Sequence, residues 1–249
     1  MKRAVLKLDA LSKSFGALRV AEAIGLEILA GETHAIIGPN GAGKTSLINQ
    51  ISGALAPDKG RIVFEGRDVT WMSMAARAHL GFARSFQITQ VLRHFSALEN
   101  VALAVQARSG SSFRFWQAAA GEAALNRAAM RSLDSVELAA RADTPAGSLS
   151  HGEKRRLEIA IALAQAPKLL LLDEPMAGAG IEETQRLVAT LKSLKGRYTI
   201  VLVEHDMQAV FALADRISVL VAGRIIASGE PQAVRANAAV RAAYLGEAT

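Results

Sequence analysis

Gly38-Pro39-Asn40-Gly41-Ala42-Gly43-Lys44-Thr45 stands between two apolar runs and fits the spacing G-x-x-x-x-G-K-[ST], with Ser46 next in line. Each residue type meets a need of anion binding. Glycines let the backbone wrap closely and point its N–H groups at anionic oxygens. A helix beginning there directs its positive dipole end at the same oxygens. Lys44 reaches the β- and γ-phosphates of a nucleoside triphosphate, and Thr45 offers a hydroxyl to Mg²⁺. The stretch predicts an α/β fold, with residues 33–37 as the buried strand feeding the loop and 45–54 as the helix leaving it.

Outward from the loop, residues 4–9 and 24–30 alternate apolar and polar, as half-buried strands do. Turns are expected at 57–60 and 65–68, on either side of a strand at 61–64. Between residues 87 and 166 the texture becomes helical, with a flexible loop expected at 109–112, and this reads as a helical insertion in an α/β domain. Strands return as the continuous apolar runs 169–172 and 199–203, buried on both faces. Residues 217–221 and 224–227 form a hairpin-like pair around Ala222-Gly223.

Composition narrows the class. The chain has 249 residues, 51% apolar and 21% charged, enough for one large or two small folded domains. It has no cysteine, which excludes disulfides and thiolate metal sites and suits a reducing compartment. Lys7 and Asp9 interrupt any signal-peptide core after Met1-Lys2-Arg3, and no apolar stretch reaches the roughly 18 residues that span a bilayer. A soluble chain is expected, touching a membrane only through a partner. The net charge of +6 is spread out, with Lys154-Arg155-Arg156 the densest cluster, and aromatics make up only 5%. That pattern offers no base-stacking platform, so an anionic nucleotide is the expected ligand and nucleic acid is not.

Two further stretches carry chemistry. The apolar run 169–172 ends in Asp173-Glu174, which places acids at the carboxyl edge of the sheet, where open α/β folds bind ligands. Asp173 suits a hard cation, and Glu174 suits polarisation of an attacking water. Ser150-His151-Gly152-Glu153 opens a second helix with Ser150 as its N-cap, giving a second anion site. One nucleotide has one γ-phosphate. Two anion sites in one chain make sense if the second serves a nucleotide held by another subunit.

With these motifs in this order, the chain resembles the ATP-binding subunit of an ABC transporter over nearly its whole length. The resemblance implies a mixed-sheet core (about 1–86 and 162–249), an antiparallel β subdomain and an inserted helical subdomain (about 87–161). It implies ATP and Mg²⁺ as cofactors. Phe15 takes the place of the adenine-stacking aromatic, Gln87 that of the glutamine loop, which joins the metal site to the membrane partner, and His205 that of the switch histidine. Ser150 and Gly152 correspond to the signature motif that completes a partner's site in trans. Asp173, Gln87 and Thr45 would surround the metal, Glu174 would act as general base, and two cassettes would sandwich two ATPs. The implied partners are that second cassette (a copy or a related one), two membrane permeases and, indirectly, a periplasmic solute-binding protein. The place of work would be the cytoplasmic face of a bacterial inner membrane.

Some residues depart from the common pattern. His151 stands where the signature carries its first glycine, and Gly180 ends Met176-Ala177-Gly178-Ala179-Gly180, where many relatives have aspartate. These departures bear on communication across the interface rather than on ATP binding. Together with Glu182-Glu183-Thr184 and the closing Val240-Arg241-Ala242-Ala243-Tyr244-Leu245-Gly246, they are similar to cassettes of the branched-chain (hydrophobic) amino acid uptake family. Cassettes of urea uptake and of lipopolysaccharide export share much of this pattern. A soluble ABC-type ATPase of translation or repair would carry two cassettes or a long coiled-coil insertion, neither of which is visible. A scaffold without catalysis is disfavoured by Glu174 and His205.

Overall fold

A computed structural model describes residues 3–85, 91–109 and 123–245. Its centre is a six-stranded sheet in the order β10-β9-β3-β8-β7-β6. The strands are β3 (Thr33–Ile37), β6 (Phe82–Arg84), β7 (Leu169–Asp173), β8 (Thr199–Val203), β9 (Arg216–Val221) and β10 (Arg224–Gly229). Neighbours run parallel except β10, which turns back antiparallel on β9, so the sheet is mixed. The hairpin expected around Ala222-Gly223 is that last pair.

Every residue of β3, β7 and β8 is buried. The reason lies in what covers them. Leu169 and Leu171 face a core shared with Leu6, Ile28, Leu47, Ile51 and Phe64, whereas Leu170 and Leu172 face Leu133, Leu157, Leu191 and Leu213. With both faces covered, the strand has no polar side to alternate with, hence the unbroken apolar run.

The first of those cores lies under a four-stranded antiparallel sheet in the order β2-β1-β4-β5, made of β1 (Ala4–Phe15), β2 (Leu18–Leu29), β4 (Lys59–Phe64) and β5 (Arg67–Asp68). β1 and β2 run longer than the alternation predicts. Their pairing continues to Phe15↔Leu18 through several register shifts, and these irregularities break the period-two signal. The expected turn at 57–60 is shorter than its composition suggests, because Lys59 and Gly60 already belong to β4. A Cβ on Gly60 would lie 2.5 Å from the Ala10 carbonyl oxygen, so this glycine permits close strand approach. Arg67 and Asp68, also read as turn, pair with Phe64 and Val63.

The second core is covered by α3 (Ala97–Ser109), α4 (Ala123–Asp134) and α5 (His151–Ala164), with α3 packed on the other two, and by α6 (Ile181–Leu194). The helix after the phosphate loop is α1 (Lys44–Ser52), ended by Gly53 at a φ of 84° rather than reaching residue 54. Neither α2 (Met74–Leu80) nor the three-residue β6 is evident from sequence periodicity. α2 is held by Arg77, 1% exposed, which donates to the carbonyls of Gln50 and Ile51 at the end of α1 and to that of Thr70. A short helix α7 (Met207–Leu213) joins β8 to β9, and two more, α8 (Pro231–Ala236) and α9 (Ala238–Leu245), follow β10. Among the described residues no helix is long and apolar enough to cross a membrane.

Register decides where the chemistry falls. Ile36 and Asp173 both pair with Val203, one from each side of β8. The loop after β3, the acids ending β7 and the turn after β8 therefore leave the same carboxyl edge side by side.

Candidate nucleotide-binding site

Two glycines of the loop are dictated by space. A Cβ on Gly38 would sit 2.0 Å from the Leu220 carbonyl oxygen, and one on Gly43 would sit 2.2 Å from that of Val20. Gly43 also has a φ of 104°, a conformation open to glycine and strained for other residues. Gly41 has a φ of 77° with open space around it, leaving the crest of the loop unobstructed. The loop is anchored by Gly223 N–H donating to the Ala42 carbonyl at 3.0 Å, and α1 begins with Leu47 N–H donating to Gly43 at 2.9 Å. Pro39, Asn40, Ala42, Thr45 and Ser46 complete the cradle and its first helical turn.

Lys44 folds back over this loop. Its Nζ donates to the carbonyls of Gly38 at 2.6 Å and Pro39 at 3.0 Å. Burial pushes its pKa below the ordinary lysine value, and the nearby carboxylates of Glu174 and Asp173 pull it back up. Asp173 is 1% exposed, and burial raises its pKa. The Arg84 guanidinium opposes that rise through a contact of 3.0 Å to Oδ2. The other oxygen, Oδ1, is buried without a hydrogen-bond partner. Arg84 also donates to Asn49 Oδ1 at 2.6 Å and to Ser52 Oγ at 3.2 Å, tying β6 to α1 and to the acid at once. Sequence reading missed Arg84 because a three-residue strand gives no periodicity to place it beside β7.

Glu174 has a φ of 48°, a rare backbone state for a side chain with a Cβ, held by its N–H donating to the Val203 carbonyl at 2.9 Å. The turn aims its carboxylate across at His205, whose Nδ1 lies 4.0 Å from Glu174 Oε1. Phosphate loop, Asp173, Glu174 and His205 thus share one sheet edge.

Ser150 and Gly152 lie elsewhere, in a hollow lined also by Glu153, Arg156, Glu183 and Arg186. Ser150 is the N-cap of α5 in a full capping box: its Oγ accepts from Glu153 N–H at 3.2 Å, and its own N–H donates to Glu153 Oε2 at 2.8 Å. Gly152 N–H donates to Glu183 Oε1 at 3.2 Å, showing that this helix start attracts a carboxylate. His151 lies beside the turn that ends in Gly180, since a Cβ on Gly178 would be 4.0 Å from His151 Nε2. Gly180 caps α6 with no side-chain bond. Phe15 is 52% exposed at the tip of the β1–β2 hairpin, with Lys13 Nζ 5.6 Å from its ring centre. Gln87 lies outside the described residues.

A glycine cradle opening a helix from a mostly parallel sheet, with a lysine inside it and acids on the next strand but one, defines a class: a P-loop nucleoside triphosphatase. The model of the ABC transporter family matches residues 21–177, and that of the branched-chain amino acid ATP-binding cassette transporter matches residues 224–249. The chain belongs to the ABC transporter family, as an ATP-hydrolysing cassette. It is 35% identical to the high-affinity branched-chain amino acid transport ATP-binding protein LivG of Escherichia coli K12 over 260 aligned positions, covering 100% of both chains. To the protein of the same description, BraF, of Pseudomonas aeruginosa it is 34% identical, again covering 100% of both. Among solved structures it resembles the ADP conformation of an ATP-binding cassette of an ABC transporter, with a TM-score of 0.86 and 30% identity, covering 98% of this chain and 99% of that one. Cassettes of this family bind nucleotide and work as dimers with membrane permeases.

Proposed function

We propose that this chain powers the uptake of branched-chain or other hydrophobic amino acids by hydrolysing ATP between two cassettes. One observation carries the chemistry: Lys44, Asp173, Glu174 and His205 converge on a single carboxyl edge beside a glycine cradle. The solute class rests on the likeness to LivG and BraF and on the match at residues 224–249.

In this reading the backbone of residues 38–43, with Lys44, Thr45 and Ser46, holds the phosphates, and Phe15 stacks on adenine. Mg²⁺ fits the site because Asp173 Oδ1 is a buried oxygen with no protein partner, and hard cations take oxygen ligands. Thr45 and Gln87 would share in holding it, and when bound it neutralises charge on the β- and γ-phosphates. Glu174 takes the proton of the attacking water, whose oxygen bonds to the γ-phosphorus as the bond to ADP breaks. His205 senses the γ-phosphate. Ser150 and Gly152 line a hollow with Glu153, Arg156, Glu183 and Arg186 and none of the loop residues, and in this reading they serve the nucleotide of a second cassette, a copy or a related one. Residues 87–161 form the unit that meets two permeases at the cytoplasmic membrane face, fed by a periplasmic binding protein.

The test is reconstitution with those permeases and ATPase assay against binding protein loaded with leucine, isoleucine or valine. Turnover is expected to rise with these loads. Stimulation only by urea, or activity only with lipopolysaccharide-handling partners, would overturn the solute assignment.

A further inference from the structure

We propose that Glu204 is the positioning residue that sets His205 and the turn after Glu174 in one frame; this rests on the roles given above to Glu174 and His205. Glu204 is 0% exposed, immediately after the last residue of β8. Its two oxygens serve different segments. Oε1 accepts from Met176 N–H at 2.8 Å, within the turn that follows Asp173-Glu174-Pro175. Oε2 accepts from His205 N–H at 3.0 Å and Asp206 N–H at 3.4 Å, at the start of the segment leading into α7. The His205 ring then lies with Nδ1 3.8 Å from Glu204 Oε2 and 4.0 Å from Glu174 Oε1.

Burying a carboxylate is costly unless hydrogen bonds meet it, and here three backbone donors do. An apolar side chain at this place would fill the same space and link nothing. Glu204 instead ties the two turns that leave neighbouring strands β7 and β8, one bearing the base and the other the sensor. A shift of either turn by the width of one hydrogen bond would change the separation of Glu174 from His205. The carboxylate holds His205 by its backbone N–H and lies 3.8 Å from its ring, and it meets the Glu174 turn through Met176 N–H, so its effect runs through placement.

The test is kinetic, on the chain assembled with its second cassette and permeases. In Glu204→Gln the side chain keeps its size and one oxygen for Met176 N–H, but its NH₂ faces the N–H groups of His205 and Asp206, which cannot accept from it. ATP affinity is expected to stay within about threefold and KM with it, while kcat falls about 10- to 100-fold, as loss of an outer-shell partner does. Glu204→Ala is expected to fall further. In a His205→Ala background the same Glu204→Gln change should cost less than it does in the parent, because one of the two side chains whose separation it sets is gone. A Glu204→Gln enzyme within about twofold of the parent, or losses that multiply in the double variant, would overturn the proposal. Should Glu204→Ala fail to fold, Glu204→Gln alone decides, with its ATP binding as the control for folding. Normal turnover by Glu174→Gln would instead sink the underlying reading of the site, so the two failures are told apart.

Discussion

Glu174→Gln is expected to bind ATP as tightly as the parent chain and to turn it over at least about 100-fold more slowly, since a positioned general base contributes on the order of 10²–10⁴. The geometry favours a clean result. Glutamine has the same shape, so it can occupy the same left-handed backbone state at a φ of 48° and keep the N–H bond to Val203. What it loses is the ability to take a proton. Lys44 feels the Glu174 carboxylate, and removing that negative charge from beside an anionic ligand gives no reason for weaker binding. Equilibrium binding with a fluorescent ATP analogue and a phosphate-release assay separate the two quantities. Turnover at the parent rate would remove Glu174 from the role of base.

The second large effect is expected from Lys44→Ala, which should weaken ATP binding at least about tenfold and bring hydrolysis to background. Hydrogen bonds to charged groups are worth about 1.5–3 kcal/mol, or roughly 10- to 150-fold in Kd. Two losses add here. The phosphates lose their cation, and the loop loses the donor that now holds the Gly38 and Pro39 carbonyls. Burial disfavours the charge of this lysine, and a polyanion beside it would favour that charge. Titration of the variant beside the parent checks this, and unchanged affinity would exclude the loop as the phosphate cradle.

Much of the fold was legible because the decisive segments carry local signals. The glycines of residues 38–43 announce the loop, and β7 and β8 show as unbroken apolar runs because both their faces are covered. The acids at the end of β7 and the capping box at Ser150 follow from position alone. The rest depends on which strands become neighbours. Arg84 meets Asp173 only because β6 adds to β7, and Glu204 reaches Met176 only because β8 lies beside β7. Neither neighbour relation leaves a periodic trace in the chain. The far halves of β1 and β2 were hidden for a different reason: polar Ser12, Lys13 and Ser14 lie on a sheet whose register slips, so alternation fails where pairing does not.

The central claim is that ATP draws two cassettes together across Ser150 and Gly152, and sedimentation velocity on the slow Glu174→Gln chain tests it most directly. Without nucleotide it should run as a monomer, and with ATP and Mg²⁺ as a dimer, with itself or with the second cassette of its transporter. Gly152→Asp, which places a carboxylate at the start of α5, should still bind ATP and remain monomeric. An ATP-loaded chain that stays monomeric with either partner, or a Gly152→Asp chain that pairs as readily as its parent, would contradict it.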